Sequence, residues 1–220
     1  MSMRVALAEH LKTFAASPTW SSVAAVYDLQ LPLEQAALAV AISLLDLRDG
    51  ERLLDIGTGT GALVRALGTR ALGRSPWRTV GIDSSAAMLH RTPAGAAGWA
   101  RVAADGRALP FADGSFAAAA ASYVLHTLHG ADRRAVLVEV SRVLRPAGRL
   151  VVVSVAEPVS TAGRGLVHLL HRVTRGRPGV AAGLQPWDPR PELEQHSFAV
   201  RKVRRVGHGY PSICVVAERT

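Results

Sequence analysis

Residues 53–67 read LLDIGTGTGALVRAL, and this stretch limits the fold more than any other part of the chain. A short apolar run ends at Asp55-Ile56, three glycines alternate with threonines, and Leu63, Ala66 and Leu67 then recur at helical spacing. The spacing predicts a strand handing over to a helix through a turn whose backbone only glycine adopts freely and which a ligand can approach closely. Such a unit belongs to an open sheet with strands and helices in alternation, and its ligand crevice lies beyond the carboxyl ends of the strands.

The downstream chain continues that alternation. Thr79–Ile82 predicts a second strand ending at Asp83, with Ser84 or Ser85 capping a short helix through Leu89. Ala100–Ala104 predicts a third strand ending at Asp105, and Phe116–Val124 a fourth, placed by the alternation because its alanine run has poor strand propensity. Val136, Val140, Val143 and Leu144 share one helical face, which Pro146 and Gly148 close off. RLVVVSV then reads as a strand buried on both faces. Asp188 is the expected N-cap of a short helix with Pro189 in its first turn. FAVRKVRRV and SICVVAER face each other across GHGYP, and so short a loop dictates an antiparallel hairpin.

Several ligands suit a glycine turn. A nucleoside triphosphate loop needs a Gly-Lys-Ser/Thr ending, whereas Gly61 is followed by Ala62-Leu63 and no lysine lies between Lys12 and Lys202. A dinucleotide remains open: Gly57-x-Gly59-x-x-Ala62 formally meets that fingerprint, and Asp83 would take the ribose hydroxyls. Against it stand about 50 residues of helical sequence ahead of the loop and the closing hairpin, both arguments by fold analogy.

Asp55-Ile56-Gly57-Thr58-Gly59-Thr60-Gly61 resembles the signature of class I S-adenosylmethionine-dependent methyltransferases. VGIDSSAAML, AADGRALPFADGSF, SYVLHTL, EVSRVLRPAGRLVVV and VGHGYPSICVVAER are similar, in order, to later motifs of the ubiquinone/menaquinone-biosynthesis subgroup. The resemblance runs from about residue 27 to 220 and departs at Ala117, where aspartate is usual, and at Pro146-Ala147-Gly148, where Pro-Gly-Gly is usual. It implies a doubly wound, mostly parallel, seven-stranded Rossmann-like α/β sheet that ends in the hairpin. It divides the chain into an N-terminal helical lid over residues 1–50 and a cofactor-binding core over 51–220, with a helical insertion at about 158–195.

The resemblance also implies roles. The cofactor is S-adenosyl-L-methionine, leaving as S-adenosyl-L-homocysteine. Gly57, Thr58, Gly59 and Gly61 would wrap its methionine part, with Asp55 orienting the loop or taking the amino group. Asp83, with Ser84 beside it, suits the ribose hydroxyls, since an ionised carboxylate only accepts. Asp105 and the Gly106 amide suit the adenine edge, Met88 and Leu109 its faces, and Ser122 the end of the fourth strand. His126 is the candidate base and Tyr27 the lid tyrosine that reaches the cofactor. No metal is expected, because His168 and His171 stand three apart without a third ligand.

Composition narrows the partners. A single cysteine, Cys214, in an apolar run precludes an internal disulfide and reads as buried filler in a cytoplasmic protein. Of the net charge of +9, +6 falls between Ser160 and the C-terminus, where ten Lys/Arg stand against four Asp/Glu. A solvated basic surface accounts for this, with weak contact at an anionic membrane surface as the alternative. Residues 163–176, with Leu166, Leu169, Leu170 and Val173 on one helical face, are expected to join Trp20 and Trp187 over a small apolar or aromatic acceptor. Nucleic acid is not an expected partner, since no Asn-Pro-Pro-aromatic motif follows the fourth strand. A monomer or a homodimer through the lid helices is expected.

Overall fold

The computed structural model describes residues 28–70, 78–91, 99–158, 161–173 and 185–220. Seven strands form one sheet: β1 (Arg52–Ile56), β2 (Arg78–Asp83), β3 (Trp99–Ala103), β4 (Phe116–Ser122), β5 (Leu144–Val155), β6 (Phe198–Val206) and β7 (Ser212–Arg219). Their order is β3-β2-β1-β4-β5-β7-β6. β1 pairs in parallel with β2 and β4, β2 with β3, and β4 with β5, while β7 runs antiparallel to both β5 and β6. The chain winds outward from β1 in one direction and then resumes at β4 on its other side. The topological switch point therefore lies between β1 and β4, where the glycine loop emerges.

Helices cover both faces. On one side lie α1 (Leu31–Leu45) and α2 (Ala62–Arg70), packed on Leu53, Ala118, Ala120, Val151, Val153 and Cys214. On the other, α4 (Gly130–Val143) and α6 (Arg190–Glu194) pack on Leu54, Ile56, Ala121, Leu150, Val152 and Val215. The short α3 (Ala86–Arg91) follows β2, and α5 (Thr161–Val173) follows β5. The alanines of β4 now have a reason: the strand is central and Ala118 to Ala121 are wholly buried. Small side chains there let both helical layers close on the sheet.

Three expectations need adjusting. The helical lid expected over residues 1–50 includes α1, and Ala37, Leu38, Ala41 and Leu45 pack that helix as a core layer of the sheet. The remainder of the expected lid, residues 1–27, lies outside the described residues. β4 stops at Ser122, short of the expected Val124, because Tyr123 takes a left-handed backbone with φ 56°. α6 begins later than expected, with Pro189 at its cap, although Asp188 still accepts the Arg190 amide at 3.1 Å.

Two polar devices fix the frame. Glu51, buried at the start of β1, accepts from the Arg48 amide at 3.1 Å and from the guanidinium groups of Arg145 and Arg149, while Arg149 also donates to Leu45 O at 2.8 Å. Burial opposes the Glu51 charge, yet the Arg48 amide and the two arginines outweigh it and hold the carboxyl below its usual range. On the other face, Arg133 donates to Glu192 at 2.6 Å and lies 4.5 Å from the Trp187 ring centre, clamping the end of the insertion onto α4.

Candidate active site at the carboxyl ends of β1, β2 and β4

The three loop glycines all have left-handed backbone: φ 63° at Gly57, 55° at Gly59 and 84° at Gly61. Gly57 is constrained by space as well, since a Cβ there would stand 2.5 Å from Val124 Cγ2, just past the end of β4. Thr58 locks the loop onto the sheet. Its amide donates to Ile82 O at 2.8 Å and its hydroxyl to Asp55 Oδ2 at 2.7 Å. Gly81 makes room for it, because a Cβ there would meet Thr58 Oγ1 at 2.8 Å. Asp55 is thus placed as a fully enclosed organiser of the loop. Burial pushes its carboxyl up to about 7, the Thr58 hydrogen bond opposing and the nearby Asp83 charge adding to the rise.

Asp83 ends β2 and joins the loop to the next helix. Its Oδ2 accepts the Gly59 amide at 2.9 Å and its Oδ1 the Ser85 amide at 2.7 Å. A carboxylate offers about four lone-pair positions, so the two that these amides leave suit two hydroxyl donors from a ligand. Burial raises the Asp83 carboxyl above its usual range, with both amides working the other way. Ser84 is exposed, and Ser85 rather than Ser84 caps α3, its hydroxyl accepting from the Met88 amide at 3.4 Å.

The sequence reading missed Asp28. In the short 3-10 turn ahead of α1, it accepts the Thr60 hydroxyl at 2.6 Å and faces Arg65 at 3.7 Å and Arg91 at 3.4 Å. It ties the chain next to Tyr27 to the glycine loop; Tyr27 itself lies outside the described residues. Its only sequence signal was adjacency to that tyrosine.

Asp105 lies just beyond β3, where its oxygens accept from Arg107 Nε at 3.0 Å and Nη2 at 2.7 Å, while Arg107 Nη1 reaches Asp132 on α4 at 2.8 Å. An adenine amino group at Asp105 would share the carboxylate with Arg107. Gly106 packs toward Val136, and Leu109 is buried with its amide on Glu139 Oε2 at 2.7 Å. Met88 is buried in α3. Arg142 donates to Phe111 O and Leu109 O at 2.8 and 3.0 Å, so this whole loop is wired to α4.

The end of β4 supplies the remaining groups. The buried Ser122 hydroxyl has no hydrogen-bond partner among the described residues. Tyr123 follows, a bulky residue in a left-handed conformation that costs about 1–3 kcal/mol. It packs beside α1, its hydroxyl 2.6 Å from Ser212 Oγ and its ring 6.2 Å from Tyr210. His126 is buried in the turn Leu125–Thr127, with its ring 6.3 Å from that of Tyr123. Among the described residues, no group of three His, Cys, Asp or Glu side chains could hold a metal ion.

A cofactor with a ribose and an amino-acid tail fits what is built here. Gly57 lets the loop backbone close on Val124, where a Cβ would clash, and Asp83 at the same loop presents acceptors only. The comparisons agree. The family described as "Methyltransferase domain" matches residues 54–152. The chain is 43% identical over 119 residues to the demethylmenaquinone methyltransferase of Corynebacterium glutamicum, covering 52% of this chain and 46% of that protein. It is 35% identical over 144 residues to the Beutenbergia cavernae protein of the same name, covering 63% and 57%. The chain thus spans about half the length of the curated relatives it matches.

Among solved structures, the fold is shared with a SAM-dependent methyltransferase from Aquifex aeolicus, with TM-score 0.62, 17% identity, and coverage of 83% of this chain and 89% of that one. It is also shared with geranyl diphosphate C-methyltransferase from Streptomyces coelicolor, with TM-score 0.59, 13% identity, and coverage of 85% and 79%. The methyltransferase-domain match over residues 54–152 and the similarity to demethylmenaquinone methyltransferases support a class I S-adenosylmethionine-dependent methyltransferase of the quinone-biosynthesis type.

Proposed function

We propose that the protein transfers a methyl group from S-adenosylmethionine to a small aromatic acceptor of the hydroquinone or phenol type. The observation that carries the reading is the Asp83 junction: one carboxylate bound to the glycine loop at 2.9 Å, with lone pairs left for a ribose. The similarity to demethylmenaquinone methyltransferases over 119 residues supports the acceptor class.

When bound, the cofactor supplies a methyl group on a positively charged sulfur, open to in-line attack by a nucleophile. The protein's part is to align the two partners and exclude water, which suits a preorganised loop. Gly57, Thr58, Gly59 and Gly61 hold the amino-acid end, with Asp55 fixing Thr58 beneath them. Asp83 takes the ribose, and Asp105, Gly106, Met88 and Leu109 frame the adenine. In this order the methyl group would be offered at the switch point, where Ser122, Tyr123 and His126 stand. His126, buried in the turn just after β4, is the candidate base for an acceptor proton.

Calorimetry with S-adenosylhomocysteine against NADH tests the cofactor, and only the former is expected to bind. Transfer of a labelled methyl group to a panel of hydroquinones, phenols, amines, thiols and phospholipids tests the acceptor. Label on amines or thiols alone would overturn the aromatic hydroxyl reading.

A second reading places the reaction at a membrane surface. On α5, Leu169 is 57% exposed beside exposed Arg164, His168 and Arg172, and no described element packs broadly against this helix. Basic amphipathic helices bind anionic bilayers through such faces. Co-sedimentation with phosphatidylglycerol vesicles, lost in Leu169→Asp, is the expected result. No helix among the described residues is long and apolar enough to cross a membrane.

A further inference from the structure

Four non-glycine residues among those described have left-handed backbone, and Asp46, Ala147 and Ser197 are exposed. Tyr123 is the exception, a partly buried aromatic at the switch point. Its conformation changes which side chains share a face. In a strand, Ser122 falls with Ala118 and Ala120 toward α1, and the next residue belongs on the opposite side. Tyr123 nevertheless packs into the α1 layer, so two consecutive polar side chains serve the same face.

The hydrogen bonds around Tyr123 have a fixed direction. Ser212 Oγ donates its only proton to Tyr210 O at 2.7 Å. The 2.6 Å contact between Ser212 Oγ and Tyr123 Oη must then carry the tyrosine proton to the serine. Beyond it, the Tyr210 hydroxyl donates to Gln30 Oε1 at 3.3 Å and Gln30 Nε2 to Glu34 Oε1 at 3.2 Å. Tyr123 thus has no proton to offer, and its oxygen presents lone pairs alone. Burial, opposed by the Ser212 hydrogen bond and reinforced by the Glu34 charge, holds the phenol well above its usual range, so it orients a partner without removing a proton.

Resting on the methyl-transfer reading above, we infer that Tyr123 determines acceptor specificity, accepting a hydrogen bond from an O–H of the aromatic acceptor at the end of β4. Its place next to Val124, whose side chain closes on Gly57, sets it beside the loop that holds the cofactor. An acceptor bearing only carbonyl or ether oxygen meets lone pair against lone pair and is disfavoured.

The test uses the full chain saturated with S-adenosylhomocysteine. Anaerobic calorimetry compares 1,4-naphthohydroquinone with 1,4-naphthoquinone in wild type, Tyr123→Phe and Ser212→Ala. Wild type is expected to prefer the hydroquinone by about tenfold, the worth of one hydrogen bond. Tyr123→Phe is expected to erase the preference. Ser212→Ala leaves the tyrosine proton without its acceptor, so the quinone should gain affinity, a shift that loss of packing would not produce. S-adenosylhomocysteine affinity and melting temperature report whether each variant folds.

If wild type binds the hydroquinone and Tyr123→Phe leaves the preference unchanged, the role of Tyr123 is overturned and the aromatic acceptor stands. If neither ring binds wild type while S-adenosylhomocysteine does, the acceptor reading falls and takes this inference with it.

Discussion

The Gly59 backbone amide donates to Asp83 Oδ2 at 2.9 Å, so the glycine loop after β1 and the end of β2 are held by one carboxylate. Asp83 therefore shapes the loop before any ligand arrives. Asp83→Asn keeps one carbonyl acceptor but introduces two donors where hydroxyls should donate. S-adenosylhomocysteine affinity should fall by about a hundredfold, in line with the loss of charge-assisted hydrogen bonds. Calorimetry that found less than a threefold loss would remove Asp83 from the cofactor site.

Gly57→Ala meets two obstacles at once. The φ of 63° is strained for alanine, and its Cβ would stand 2.5 Å from Val124 Cγ2. The loop must move, and we expect at least a tenfold loss of S-adenosylhomocysteine affinity with a melting temperature lowered by a few degrees. Gly57→Ala combined with Val124→Ala should recover part of the affinity, since it relieves the clash but leaves the strain.

Asp55 gives a pH signature with a known sign. Its carboxyl rises from 3.8 to about 7 on folding, so the folded state holds the proton more tightly than the unfolded chain. That contribution is complete below the ordinary carboxyl pKa and is lost as pH rises through about 7. Glu51 runs the other way: its carboxyl is lowered on folding, so its contribution is present above the usual range and lost on acidification. Urea unfolding of wild type and Asp55→Asn at pH 5 and pH 8 isolates the first effect. The wild type should lose stability relative to Asp55→Asn between these values, at no more than about 1.4 kcal/mol per pH unit. A difference that grows in favour of wild type at pH 8 would contradict the burial of a protonated Asp55.

Ala147 is exposed with φ 58°, at the position where the resembling family usually has glycine. Left-handed backbone costs an L-residue about 1–2 kcal/mol, partly offset by the greater freedom glycine has when unfolded. Ala147→Gly is expected to stabilise the protein by about 1 kcal/mol, read from the denaturant midpoint, with cofactor affinity unchanged. A destabilised variant would mean that the alanine methyl makes a packing contribution at this position.

The order of strands and helices from Arg52 to Arg219, the glycine loop and the acids at the strand ends were all legible in the sequence, because hydrophobic period and glycine placement are local properties. So was Cys214 as filler: it is fully buried, and its thiol, 3.7 Å from Ala37 O, is pushed by burial to about 12. The tertiary structure alone decided which of those residues meet. Helix α1 looked like lid until its alanines and leucines were seen covering β4, β5 and β7. Asp28 joined the loop across 32 positions of sequence, and Tyr123 met Ser212 across 89. Backbone strain at Tyr123 reversed the face that strand alternation assigns to it, since a left-handed residue is imposed by its neighbours and leaves no mark in the pattern of the chain.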